Sequence, residues 1–210
     1  MSEQAQVATD VANSNSSRRS SARFFSARDL ALIAAFAALT VVLGLAPPVS
    51  IPGTPVPFTF QHLGVSLCGA ILGWKRGSAA IALMLAVGML GVPVLAGGRS
   101  TVAALAGPTV GYLVGFVIGA AVIGVMVQFR LPKVEPWWIG LSCVIGGIVV
   151  MHALGIPYAA MRTRTSLWAQ LVLHLAFIPG DLIKAAIATA VATAVHRGVP
   201  GLTPPLRRGR

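Results

Sequence analysis

The sequence predicts an all-α, polytopic membrane protein, a bundle of six transmembrane helices, and three observations carry that reading. Of the 210 residues 56% are hydrophobic and only 10% charged, and mean hydropathy is +0.82, far outside the soluble range. The apolar residues fall into six runs bounded by proline, glycine and basic residues. Basic residues sit between the runs, not among aromatics on one surface, so the net charge of +11 reads as membrane topology and excludes nucleic acid as a partner.

Residues 1–27 are polar, with Arg18, Arg19 and Arg23 among serines and no apolar core of a signal peptide, and are expected to form a disordered basic cytoplasmic tail. The membrane domain is expected over 28–197. Its spans run roughly from Leu30 to Ala46, Phe58 to Gly73, Ser78 to Leu95, Pro108 to Phe129, Trp137 to Ala160 and Leu167 to Val195. The second is short and the last long. A second basic cytoplasmic tail, 198–210, carries Arg207, Arg208 and Arg210 among prolines and reads like the first. With the amino terminus inside, twelve basic residues fall in inner segments and only Arg99, Arg162 and Arg164 in outer loops, which puts both termini in the cytoplasm. Trp74, Trp137 and Trp138 then mark the inner interface and Trp168 the outer one.

Two stripes of small residues occur. Ala31, Ala34, Ala35 and Ala38 line one face of the first span, and Gly107, Gly111, Gly115 and Gly119 recur every fourth residue around the start of the fourth. Such stripes permit close helix approach, either within the bundle or against another protein. The loop 46–57 holds five prolines in twelve residues and no charge, which suits a stiff cover over a pocket or a rigid connector. The following outer loop, with Gly97, Gly98, Arg99, Pro108 and Thr109, can bring backbone amides to a ligand.

Asp181 and Lys184 are the strongest functional signal, because an ionisable residue inside a span is costly unless it faces a protein interior or a water-filled cavity. Three residues apart, they share one helix face and neutralise each other while presenting donors and acceptors to a polar solute. Gln61 and Tyr112 are expected to converge on them in the outer half. His152 and His174 are read as interhelical hydrogen-bonding residues outside the site. Cys68 and Cys143 lie in apolar segments and read as small packing residues. The sequence carries no phosphate-binding loop, metal-ligand spacing or nucleophile motif. Hence no enzyme, metal or cofactor is expected, and active transport would need energising partner chains.

Three stretches taken together, Pro55 to Gln61, Gly91 to Gly98 with Gly107 to Tyr112, and Phe177 to Lys184, resemble the BioY family, the biotin-specific S components of energy-coupling factor (ECF) transporters. The resemblance covers about residues 28–197. It implies a six-helix plasma-membrane subunit that captures biotin from outside and works with a membrane-embedded T component and two ATP-binding A subunits. By that resemblance Asp181 and Lys184 belong to the biotin site, with Gln61 and Tyr112 nearby, and the first-span alanines to the face that docks on the T component. Two positions depart from the family pattern: His62 stands for a small polar residue and Val110 for the second glycine of GPTGGY. An S component for another vitamin and a structural membrane scaffold are the alternative readings.

Overall fold

The computed structural model describes residues 25–50, 52 and 56–206. The expectations placed on residues 1–24, on Ile51, Gly53, Thr54 and Pro55, and on Arg207, Arg208 and Arg210 lie outside the described residues. Helices dominate the described residues: α1 (Ala27–Leu45), α2 (Gln61–Met89), α3 (Thr101–Leu105), α4 (Val110–Arg130), α5 (Pro136–Thr163) and α6 (Leu167–Gly198). Extended pairing among the described residues is limited to the single bridges Val49 with Phe58 and Leu95 with Arg99.

The chain divides after Ala31. Before that point, Ser26 and Asp29 cap the start of α1 reciprocally: Ser26 N donates to Asp29 Oδ2 (2.9 Å) and Asp29 N to Ser26 Oγ (3.2 Å). Beyond it, Ile33, Ala37, Thr40 and Gly44 form the buried stripe of α1. Thr40 Oγ1 lies 3.5 Å from Cys68 Sγ, and a Cβ on Gly64 would meet Thr40 at 2.9 Å, so α1 packs on α2 through small residues. Ala31, Ala34, Ala35 and Ala38 lie on exposed positions of the helix.

A straight helix of the 29 residues of α2 would reach about 43 Å, yet Gln61 Nε2 is 3.9 Å from Met84 Sδ. The helix folds back at Gly73, whose φ of 79° and ψ of 178° break it into antiparallel arms, 61–72 and 74–89. Only glycine adopts that conformation without strain. The arms are the second and third expected spans. Among the described residues the bundle therefore has six crossing segments, although five continuous helices are long and apolar enough to cross a membrane. The first arm is only about 18 Å long, and all of Gln61 to Gly73 except His62 is buried: it is the central helix, enclosed by protein rather than lipid.

A helix broken inside a membrane leaves carbonyls that need donors, and the C-terminal segment supplies them. His196 Nε2 donates to Ala70 O (2.8 Å), and Thr203 Oγ1 donates to Ile71 O. Gln128 accepts from Trp74 N (2.9 Å) and donates to Pro204 O (2.7 Å), and Arg76 Nη1 donates to Leu202 O (2.7 Å). Residues 199–206 are thus folded against the hairpin turn. The same end carries Lys75, Lys133 and the Arg130 guanidinium stacked 4.8 Å over Trp138. The opposite end gathers the loop residues 46–50 and 56–60 and the loops 90–100, 106–109 and 164–166.

The third helical segment ends at Met89, not Leu95, because Gly91 (φ 92°) and Pro93 turn the chain; Val94, Leu95 and Ala96 are buried in a loop, where an apolar run mimics a helix. α5 contains a π-helical stretch, Ile145–Val150, and α6 a 3₁₀ turn, Leu175–Phe177, just before Pro179. The glycine stripe of α4 packs within the bundle. A Cβ on Gly111 would strike Leu154 O, one on Gly115 would lie 3.2 Å from Met151 Cα, and one on Gly119 would lie 2.6 Å from Gly146 O. Gly119→Val should therefore destabilise the protein by about 1–3 kcal/mol through overpacking. The unfolding midpoint of detergent-purified protein reads this directly; Gly198→Ala, where nothing lies within 4 Å of the added Cβ, should leave it unchanged.

Candidate binding site

The Asp181 and Lys184 side chains meet in the bundle interior, on the first turns after the 3₁₀ break in α6. Lys184 Nζ donates to Asp181 Oδ1 at 3.0 Å, and the residues are only 3% and 4% exposed. Such a pair is tolerated in low dielectric only with its remaining hydrogen-bonding capacity met or facing a ligand. Two neighbours contribute. Lys184 Nζ lies 3.4 Å from the centroid of the Phe58 ring, a cation held over a π face. His152 Nε2 on α5 lies 3.7 Å from Asp181 Oδ2.

Loop chemistry places Phe58. The Val49 and Phe58 backbones exchange two hydrogen bonds of 2.9 Å, closing the proline-rich loop so that the Phe58 ring enters the bundle and stacks on Phe177 (6.0 Å, 26°). Gly180 makes room, since a Cβ there would strike the Phe58 ring. In the motif running from Phe177 to Lys184, the glycine thus serves the aromatic that covers the lysine.

Tyr112 on α4, 4% exposed, lies against Gly155, where a Cβ would overlap its ring. Around it stand three of the chain's four histidines: His174 stacked at 5.9 Å and 14°, His152 edge-on at 5.8 Å and His62 edge-on at 6.2 Å. Sequence reasoning left His152 and His174 outside the site as interhelical bonding groups. Their recorded hydrogen bonds run instead to their own helices, His152 Nδ1 to Ile148 O (2.9 Å) and His174 Nδ1 to Gln170 O (2.7 Å), and both rings face the cluster. Phe58 and Phe177, which the sequence reading did not single out, also stand beside the pair. The signal available for Phe177 was its spacing four residues before Asp181, which puts both on one helix face.

Gln61 is fully engaged: Nε2 donates to Val94 O (2.7 Å) and Oε1 accepts from Ala96 N (3.0 Å), so it clamps the loop after Met89 over the bundle. That loop turns at Gly97 (φ 75°) and Gly98 (φ 71°), and Leu95 and Arg99 exchange backbone bonds across it (2.9 and 3.2 Å). Beneath the loops lies a small cavity of about 40 Å³ whose lining includes Thr59, Gln61, His62, Arg99, Thr109 and Tyr112. Gly97, Gly98 and Pro108 are not among its lining residues. Thr109 Oγ1 and Tyr112 OH beside it have no hydrogen-bond partner among the described residues. On the other side of the two histidines, a groove of about 360 Å³ between α5 and α6 has His152 and His174 as its polar lining. A larger groove of about 650 Å³ near the opposite end includes none of the clustered residues.

The arrangement offers a fixed cation, a carboxylate, unpaired hydroxyl and imidazole groups and an aromatic wall. These suit a compact solute with both N–H and carbonyl groups on an apolar body. Among the described residues no group of three or more histidine, cysteine, aspartate or glutamate side chains has metal-binding geometry.

Comparison with known proteins gives consistent matches. The model of the BioY family matches residues 14–201. A biotin transporter BioY of Rhizobium etli is 44% identical over 181 residues, covering 83% of this chain and 96% of the relative. One of Rhodobacter capsulatus is 41% identical over 183 residues, covering 82% and 95%. Among solved structures, a crystal structure of the S-component for biotin from an ECF-type ABC transporter aligns with a TM-score of 0.78 at 27% identity, covering 83% of this chain and 93% of that one.

The ion pair makes a prediction of its own. Lys184→Met should destabilise the protein by about 3–5 kcal/mol, because it leaves a buried carboxylate unpaired. The double variant Asp181→Asn with Lys184→Met should recover most of that loss in a thermal unfolding assay without ligand. A double variant as unstable as the single one would show that the charges do not act as a pair.

Proposed function

The chain belongs to the BioY family, and on that premise we propose that it is the membrane subunit that captures biotin from outside and delivers it inward as the S component of an ECF transporter. The observation that carries this reading is the buried Asp181 and Lys184 pair lying under a loop-borne aromatic cover. Biotin has a ureido ring with two N–H donors and one carbonyl, an apolar thioether body and a carboxylate tail. Asp181 accepts from a ureido N–H and Lys184 donates to the carbonyl or the tail, each replacing hydration lost in the bundle. Tyr112, Phe58 and Phe177 hold the apolar body. Gln61 acts through the loop it clamps, and Arg99, on the cavity lining, offers a guanidinium to the carboxylate. Thr109, with Gly97, Gly98 and Pro108 in the adjoining outer loops, completes the cover.

A cavity of about 40 Å³ is far below the roughly 300 Å³ at the small end of ligand pockets, so the outer loops must separate to admit the substrate. The hairpin turn at Gly73 and the C-terminal segment face the cytoplasm in this reading, because Lys75, Arg76, Arg130, Lys133 and Arg197 gather at that end, and the charge count that includes Arg18, Arg19, Arg23 and Arg28 assigns the amino terminus to the same compartment. The chain has no phosphate-binding loop, so energy comes from partners: a T component in the membrane and ATP-binding A subunits. The exposed stripe Ala31, Ala34, Ala35 and Ala38 is the docking face, flat enough for close backbone approach.

Capture and delivery should therefore separate by mutation. With radiolabelled biotin on purified protein, Asp181→Asn and Lys184→Ala should each weaken binding at least about 30-fold, the scale of truncating one member of a buried charge pair. Ala35→Trp should keep binding within a few-fold of wild type and abolish energised uptake by cells expressing the complete transporter. Undiminished binding in both charge variants would remove the site, and joint loss of binding and uptake in Ala35→Trp would return the alanines to the bundle's own core.

A further inference from the structure

The hydrogen bonds of His174 fix more than its position. Its Nδ1 lies 2.7 Å from the backbone oxygen of Gln170, and a carbonyl only accepts, so Nδ1 carries the proton. In the neutral ring Nε2 is then a bare acceptor. That nitrogen is buried and has no partner among the described residues, on a side chain whose residue is 2% exposed. The ring cannot swing away to find one: it is sandwiched between Tyr112 (5.9 Å, 14°) and Phe177 (5.1 Å, 29°), with His152 edge-on at 6.1 Å.

Beside it, the Tyr112 hydroxyl is also buried and unpartnered. The two rings are stacked, an arrangement in which the tyrosine O–H does not aim at the histidine lone pair, and no bond links them among the described residues. A lone acceptor and a lone donor therefore stand side by side in the bundle interior. Each costs about 1–3 kcal/mol if left unpaired, so a protein that holds both rigid has a use for them. Their complement is a group carrying an N–H donor next to a carbonyl acceptor.

The geometry points to His174 as a specificity-determining residue that accepts a hydrogen bond from an N–H of the substrate's cyclic urea, with Tyr112 donating to the urea carbonyl. This deepens the biotin reading and rests on it. It also orients the ligand. The urea turns toward α4 and the first half of α6, with the Asp181 and Lys184 pair beside it, and the carboxylate tail points outward toward Arg99.

Biotin and two analogues, each methylated on one ureido nitrogen, test the assignment on the purified full chain. His174→Phe keeps the stacked ring and deletes the acceptor. It should weaken biotin by roughly ten-fold, the scale of one buried hydrogen bond, and leave the affinity for one methylated analogue within about two-fold of wild type, because that analogue has no proton to give. His174→Gln, whose amide oxygen reaches toward the former Nε2 position, should restore most of the biotin affinity. Tyr112→Phe should weaken all three ligands alike, since all keep the carbonyl. Equal loss for all three ligands in His174→Phe would reduce His174 to a packing role and overturn the proposal, as would unchanged biotin binding. If His174→Phe does not fold, His174→Gln decides: discrimination between the two analogues retained supports the assignment, and uniform loss overturns it. Wild-type protein that bound none of the three would strike the biotin reading itself, and this inference would fall with it.

Discussion

A carboxylate and an ammonium inside a membrane bundle persist only as a mutually neutral pair whose other valences are met, and the architecture around Asp181 and Lys184 follows from that constraint. One carboxylate oxygen takes the lysine at 3.0 Å and the other faces His152. The ammonium, unable to reach water, lies against the π face of Phe58. Phe58 comes from outside the helices, so the loop must be pinned by its bridge to Val49 and the helix must lack a side chain at Gly180. A single electrostatic requirement thus fixes the ends of two helices and the path of a loop.

Close approach of backbones is the second requirement, and small residues supply it in two different senses. The α4 glycines are consumed inside the bundle, where Gly111, Gly115 and Gly119 bring α4 against α5 and set Tyr112 onto Gly155. The α1 alanines remain outside, on exposed positions, while Ile33, Ala37, Thr40 and Gly44 do the inward packing. A scaffold protein assembled through the glycine stripe would need those glycines on its surface. Their burial removes the feature that made that alternative attractive.

Much of this was legible in the sequence, since hydropathy, basic residues and membrane thickness constrain helix number and the cost of buried charge constrains the site. Six spans and the Asp181 and Lys184 pair were readable for those reasons. Legibility failed where burial does not follow span boundaries. The run through Val94, Leu95 and Ala96 is apolar because it is a loop buried against the bundle, not because it is helical. Residues 199–206 are held at the Gly73 break, where Thr203 donates to Ile71 O while Arg76 and Gln128 donate to Leu202 O and Pro204 O, a break visible only once the hairpin is seen. Gln61 is a polar residue in a span, as expected, but its amide is spent on the loop backbone. The histidine cluster was not legible because one-dimensional spacing cannot place α2, α4, α5 and α6 around a common point; the fold brings His62, His152 and His174 to Tyr112.

We propose that the substrate is held at the buried ion pair, under its aromatic cover, and an experimental structure of the full chain with biotin bound is the sharpest test. A polar atom of biotin is expected within about 3.2 Å, hydrogen-bond distance, of Asp181 or Lys184, with the Phe58 ring displaced from the lysine. Biotin held elsewhere, with the Asp181 to Lys184 bridge and the Phe58 contact unaltered, would contradict it.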